Sequence, residues 1–140
     1  MILKVKKIDA GARLPTRATP GDAGLDLYSV EEIAIQPGDR LVVKTGIAME
    51  IPFGYAGLVW DKSGLAAKKG LKTMGGVIDA GYRGEIQVVL ANLGNEPHAI
   101  AVGDKIAQLL IQKVELPEVS EAAELSDSER GDGGFGSSGK

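Results

Sequence analysis

Turn-forming residues punctuate this chain at nearly even intervals, and that spacing limits the fold more than any other feature. Pro37-Gly38-Asp39, Pro52-Phe53-Gly54, Gly94-Asn95-Glu96-Pro97 and Val102-Gly103-Asp104 separate short runs of aliphatic and β-branched residues. Turn signals every ~8–12 residues mark an all-β sandwich or barrel. Gly supplies 20 of the 140 residues, as many turns and short strands require. Strands are expected over residues 2–8, 24–29, 33–35, 40–51, 55–60, 86–93 and 105–114, with Gly46 as a bulge inside the longest. One short helix is expected over residues 65–69, with Ser63 as its N-cap and Gly70 as its stop. There is no internal repeat. One β domain over residues 1–116 is expected, followed by a flexible arm over 117–140, where acidic and Gly-rich sequence replaces apolar bulk.

Composition narrows the chemistry. The formal net charge is −3, which argues against a broad nucleic-acid or membrane-surface footprint. There is no Cys and one His, so thiolate chemistry and multi-His metal sites are excluded. The N-terminal apolar run is too short for a signal peptide or a membrane span, and a cytoplasmic protein is expected.

Four places carry chemically suggestive residues. Residues 74–85, Met-Gly-Gly-Val-Ile-Asp-Ala-Gly-Tyr-Arg-Gly-Glu, read as a tight β-hairpin. Asp79 and Tyr82 straddle its Ala80-Gly81 turn, and Gly75 and Gly76 let the backbone approach a flat, hydrogen-bonding ligand. A plain surface hairpin with an Asp-capped turn is the alternative. Lys62, Ser63 and Gly64 form a miniature anion site where the helix begins, or an ordinary helix start. Asp26 lies between Leu25 and Leu27 on a strand, as a functional or merely solvated carboxylate. The terminal run Arg130-Gly-Asp-Gly-Gly-Phe135-Gly136-Ser137-Ser-Gly-Lys140 ends with the G-x-x-x-x-G-K spacing but lacks the strand and helix of a true P-loop. Its amides and hydroxyls still suit phosphates, Arg130 suits an anion and Phe135 suits a base; a disordered Gly/Ser tail is the alternative.

Five stretches in order resemble the motifs of the trimeric dUTP diphosphatases (dUTPases). They are Pro20-Gly-Asp-Ala-Gly-Leu-Asp-Leu-Tyr-Ser29, Asp61-Lys-Ser-Gly-Leu-Ala-Ala-Lys68, Gly75-Gly-Val-Ile-Asp-Ala-Gly-Tyr-Arg-Gly84, Gly103-Asp-Lys-Ile-Ala-Gln-Leu109 and Arg130-Gly-Asp-Gly-Gly-Phe-Gly-Ser-Ser-Gly139. The resemblance implies a jelly-roll β subunit, a homotrimer with shared active sites, and Mg²⁺-assisted hydrolysis of dUTP to dUMP and pyrophosphate. That activity keeps uracil out of DNA and supplies dUMP for dTMP synthesis. By position, Asp79 would activate the attacking water and Tyr82 would pack under the deoxyribose. The main chain at Gly75, Gly76, Val77 and Ile78 would read uracil, with Gln87 also contacting substrate. Lys62, Ser63 and Gly64 would hold phosphate, and Asp26 and Gln108 would support the phosphate–metal region. Mg²⁺ would be held mainly by the substrate's phosphates, with no direct protein ligand. Arg130 would meet the γ-phosphate, and Phe135, with Gly136 and Ser137, would close over the nucleotide from a neighbour's arm. Residues 116–129, extended at ~3.3 Å each, would cross about 45 Å. The chemistry is compatible, because a carboxylate base, a water and a phosphate-bound metal need neither Cys nor His.

The second motif departs from the family's Pro-Arg, having Asp61-Lys62. Lys lacks a bidentate fork, and Asp61 would add negative charge beside the triphosphate. Two rivals share the scaffold. A dCTP deaminase would use a glutamate where Val89 stands here and generally has Trp or Phe in place of Tyr82. A non-catalytic nucleotide-binding protein would have lost Asp79.

Overall fold

The structure is a computed structural model and describes residues 1–134. Its elements in chain order are β1 (Lys4–Lys7), β2 (Leu25–Tyr28), β3 (Ile33–Ile35), β4 (Arg40–Glu50), β5 (Tyr55–Trp60), α1 (Ser63–Lys69), β6 (Leu71–Met74), β7 (Val77–Ile78), β8 (Glu85–Asn92), β9 (His98–Ile100) and β10 (Lys105–Lys113). Two four-stranded antiparallel sheets, ordered β1-β4-β8-β6 and β2-β10-β5-β7, form a jelly-roll-like sandwich, with a β3-β9 ribbon beside them. Period-two alternation drives this layering. In β4, Val43, Thr45, Ile47 and Met49 are buried while Lys44 and Glu50 are exposed. Residues of both sheets, among them Val43, Ile86 and Leu90 from one and Leu27, Val59 and Leu109 from the other, meet in a single core. Gly46 sits at φ +67° where the β4–β8 register shifts, the bulge that its sequence suggested. The fully buried Asn92 donates to the carbonyls of Ile35 and Glu96 and ties the ribbon to β8.

Three sequence expectations need correction. The first strand is shorter, because only Lys4–Lys7 finds partners, opposite Glu50–Ile47 at the sheet edge, and Ile2 and Ile8 stay exposed. Residues 74–85 are not a hairpin. Met74 ends β6 and pairs with Val89 of β8, whereas Val77 and Ile78 pair with Leu58 and Gly57 of β5 in the opposite sheet. Gly75 and Gly76, at φ +65° and +99°, carry the chain from one sheet to the other. In α1, Ser63 is the first helical residue and not the cap. Lys62 holds the cap position in an extended conformation, and the Ala66 amide bonds to its carbonyl. Gly70, at φ +68°, stops the helix as expected, and a Cβ there would meet the Gly94 backbone. Sequence reading also missed β6, whose Leu71 and Thr73 point inward and Lys72 and Met74 outward. After Lys113 the described chain has no further helix or strand, only turns. Among the described residues, no helix is long and apolar enough to cross a membrane.

Candidate active site

The chemistry-bearing residues fall into two clusters. The first hangs between the sheets at the Asp79–Tyr82 turn, closed by the Tyr82 amide donating to the Asp79 carbonyl at 3.0 Å. Arg83 Nη1 folds back to donate to the carbonyls of Ala80 at 2.6 Å and Tyr82 at 2.9 Å. The Tyr82 hydroxyl donates to the Glu85 carbonyl at 2.9 Å, and Glu85 Oε1 accepts the Gly46 amide at 2.9 Å. The catalytic candidate is thus held by a turn braced on β8 and on the β4 bulge. The turn borders a cavity of about 380 Å³ lined by Gly76, Val77, Ile78, Asp79, Tyr82 and Gln87, with Val42, Val59, Ile86 and Val89 as apolar walls and Glu85 at one side. β7 is the outermost strand of its sheet. Its edge away from β5 faces no other strand among the described residues, so backbone donors and acceptors remain for a ligand with a polar rim. The Gly76 carbonyl accepts the Val59 amide at 2.8 Å and ties the start of β7 to β5.

The second cluster lies where β2, β10 and the β5–α1 connection converge. Asp26 is only 5% exposed, so the solvated alternative is excluded. Its Oδ1 accepts from Lys62 Nζ, and its Oδ2 pairs with Lys105 Nζ at 2.7 Å. Burial by itself would raise the Asp26 carboxyl, but hydrogen bonding and charge from Lys105 and Lys62 prevail and hold it below the usual carboxylate range. Reciprocally, the Asp26 bond and charge push Lys105 above its ordinary value. Gln108 lies in register between Asp26 and Trp60 and donates from Nε2 to the Asp61 carbonyl at 2.8 Å. A Cβ on Gly24 would collide with the Gln108 amide, so this glycine leaves room for it.

The unusual Asp61 does not face an open anion site. Its Oδ1 accepts from the amide and the hydroxyl of Thr73, each at 2.6 Å, and its Oδ2 lies 2.9 Å from Lys72 Nζ. Burial would raise this carboxyl, but the Thr73 and Lys72 contacts outweigh it and leave it lowered. The departure has become a brace between the β5 terminus and β6, and Lys62 beside it pairs with Asp26.

The structure brings Gly76, Val77, Ile78, Asp79, Tyr82 and Gln87 to one cavity, with Gly75 next along the chain. Asp26, Lys62 and Gln108 form the other cluster, and Ser63 and Gly64 are exposed at the start of α1 without lining the cavity. Arg130 lies on the exposed arm and donates from Nε to the Gly133 carbonyl at 2.7 Å. Phe135, Gly136 and Ser137 lie outside the described residues. Sequence reading missed Arg83, Glu85 and Lys105 as supports. Lys105 stood inside the fourth motif, but nothing local indicated that it pairs with Asp26. Among the described residues, no three His, Cys, Asp or Glu side chains converge as a metal cage.

The fold and the cavity define an antiparallel β sandwich that gathers an acid, an aromatic ring and a free strand edge around one concave site. Comparison makes this class specific. A family model described as dUTPase matches residues 10–139. The deoxyuridine 5'-triphosphate nucleotidohydrolase of Mycobacterium leprae is 52% identical, with 98% of this chain and 94% of that protein covered. Its counterpart in Mycolicibacterium vanbaalenii is 53% identical with the same coverage. The Staphylococcus bacteriophage 80alpha dUTPase, solved with dUpNHpp, superposes with a TM-score of 0.94 at 34% identity over 99% of both chains. A mutant dUTPase of phage phi11 of S. aureus, described for its coordination of a structural Mg(II) ion, has a TM-score of 0.84 at 31% identity, covering 89% of this chain and 98% of that one. The chain belongs to the dUTPase family.

Proposed function

We propose that this chain is a hydrolase that cleaves dUTP to dUMP and pyrophosphate, with Asp79 as the base. The observation that carries the assignment is the pairing of Asp79 and Tyr82 on one braced turn beside the free edge of β7. The uracil ring lies against Gly75–Ile78 and meets their main-chain groups. A base with the wrong polar edge leaves buried donors or acceptors unpaired, at a cost of ~1–3 kcal/mol each. The deoxyribose rests on the Tyr82 ring. Asp79 accepts a proton from the water that attacks the α-phosphorus, and pyrophosphate departs. A carboxylate is a weak base, so most of the rate comes from placing water and phosphate in line.

Lys62, Ser63 and Gly64 hold phosphate, with Asp26 and Gln108 fixing Lys62 and the Asp61 carbonyl behind them. A Mg²⁺ ion would arrive on the triphosphate, with Asp26, already paired with two lysines, supporting the phosphate side from behind. When bound, that ion neutralises phosphate charge. We also place the working site between copies of the chain in a homotrimer. Within one chain Lys62 and Asp26 do not line the Asp79 cavity, and Arg130 sits on an arm without strand partners among the described residues. Arg130 and Phe135 of a neighbouring arm complete the site.

Pyrophosphate release measured over dUTP, dTTP, dCTP and UTP with Mg²⁺ tests the assignment, and turnover is expected with dUTP. Asp79→Asn should lower turnover about a thousandfold while dUTP still binds. Turnover in that variant at the wild-type rate would remove Asp79 from its role.

A further inference from the structure

Gly84 has no backbone reason to be glycine. It is absent from the glycines with positive φ, so other residues fit its conformation. Its missing side chain instead makes room for a ring. A Cβ built on Gly84 would stand 2.4 Å from the Tyr82 hydroxyl oxygen, 2.6 Å from Cζ and 3.0 Å from Cε2. The hydroxyl end of the Tyr82 ring therefore occupies the space where a side chain at residue 84 would stand, and its hydroxyl is pinned to the next carbonyl, that of Glu85. Glu85 is itself held through the Gly46 amide.

We propose that Gly84 is a specificity-determining residue, the floor whose flatness sets the height of the Tyr82 ring and thereby the room left at the 2′ position of the sugar. The inference rests on the dUTP reading given above. Carbon atoms settle at ~3.5–4.0 Å, so a methyl group at residue 84 lifts the ring by about 1 Å. The displaced atoms are the far end of a half-exposed side chain, so the body of the fold is untouched. A ring raised by that much crowds the deoxyribose itself, so dUTP loses its fit while UTP, already crowded at its 2′-hydroxyl, loses less, and discrimination falls. Gly84 acts through Tyr82 and is a positioning residue.

The test measures kcat/KM for dUTP and UTP in wild type, Gly84→Ala, Tyr82→Ala and the double variant, with urea midpoints alongside. Gly84→Ala should keep the wild-type midpoint and lose about tenfold in the dUTP/UTP ratio. In the Tyr82→Ala background the same substitution should change the ratio less than about twofold, because no ring remains to be lifted. A wild-type ratio in Gly84→Ala, or an equal loss in both backgrounds, overturns the proposal. Wild-type protein that does not turn over dUTP would instead overturn the underlying reading.

Discussion

At the scale of single residues, Asp61 shows how a motif departure is absorbed. Its carboxylate satisfies the amide and hydroxyl of Thr73, a residue only 6% exposed, and pairs with Lys72. Asp61→Ala leaves both Thr73 groups without that acceptor, so a loss of about 2–3 kcal/mol is expected in urea unfolding. Asp61→Asn keeps an oxygen for Thr73 and should lose about 1 kcal/mol. The pH dependence follows from the lowered folded-state carboxyl. A depressed acid contributes stability above its unfolded value and loses it as pH falls through the folded one. Wild type and Asp61→Asn should therefore converge as pH drops below about 4, and a gap that stays constant would mean that the charge contributes nothing.

At the scale of elements, the decisive feature is the β6–β7 crossover. Gly75 and Gly76 both need positive φ, yet their surroundings differ. A Cβ at Gly75 meets nothing within 4 Å, whereas one at Gly76 would stand 2.9 Å from the Val59 carbonyl. Gly75→Ala should cost about 1 kcal/mol, the conformational penalty alone. Gly76→Ala should cost more, ~2–4 kcal/mol, and raise KM for dUTP, because it pushes the β7 edge off β5. Equal denaturation midpoints for the two variants would contradict this. The crossover also marks where sequence reasoning fails. Two glycines before a β-forming pair look the same whether the pair folds back on its neighbour or joins a strand of another sheet. Turn chemistry is local, so the Gly46 bulge, the Gly70 stop and most strand positions were legible, as was the Asp79–Tyr82 turn. Partners far along the chain are not local. In the sequence a solvated role for Asp26 stays open, because Lys62 and Lys105 reach it only through the β2–β10 pairing and the β5–α1 connection. Ser63 read as a cap because the sequence could not show that Lys62 takes the extended conformation.

At the scale of the whole molecule, the question is which parts act together. Among the described residues the core closes without the arm, since its residues and their packing partners end at Ile111. Removal of residues 130–140 should leave the melting temperature and the oligomeric mass unchanged while turnover falls by about a hundredfold, because a closing group is lost and a structural one is not. A mixture then separates a site within one chain from a site between chains. Asp79→Asn chains carry an intact arm, and truncated chains carry an intact acid. Unfolded together in equal amounts and refolded, they assemble into mixed trimers if the homotrimer proposed above holds. If the arm serves a neighbour's acid, about a quarter of the sites combine an intact Asp79 with an intact arm, and activity rises well above that of either parent. If acid and arm serve each other within one chain, no site is whole and the mixture stays as weak as its parents. Pyrophosphate release from the refolded mixture, set against each variant refolded alone, reads the difference directly.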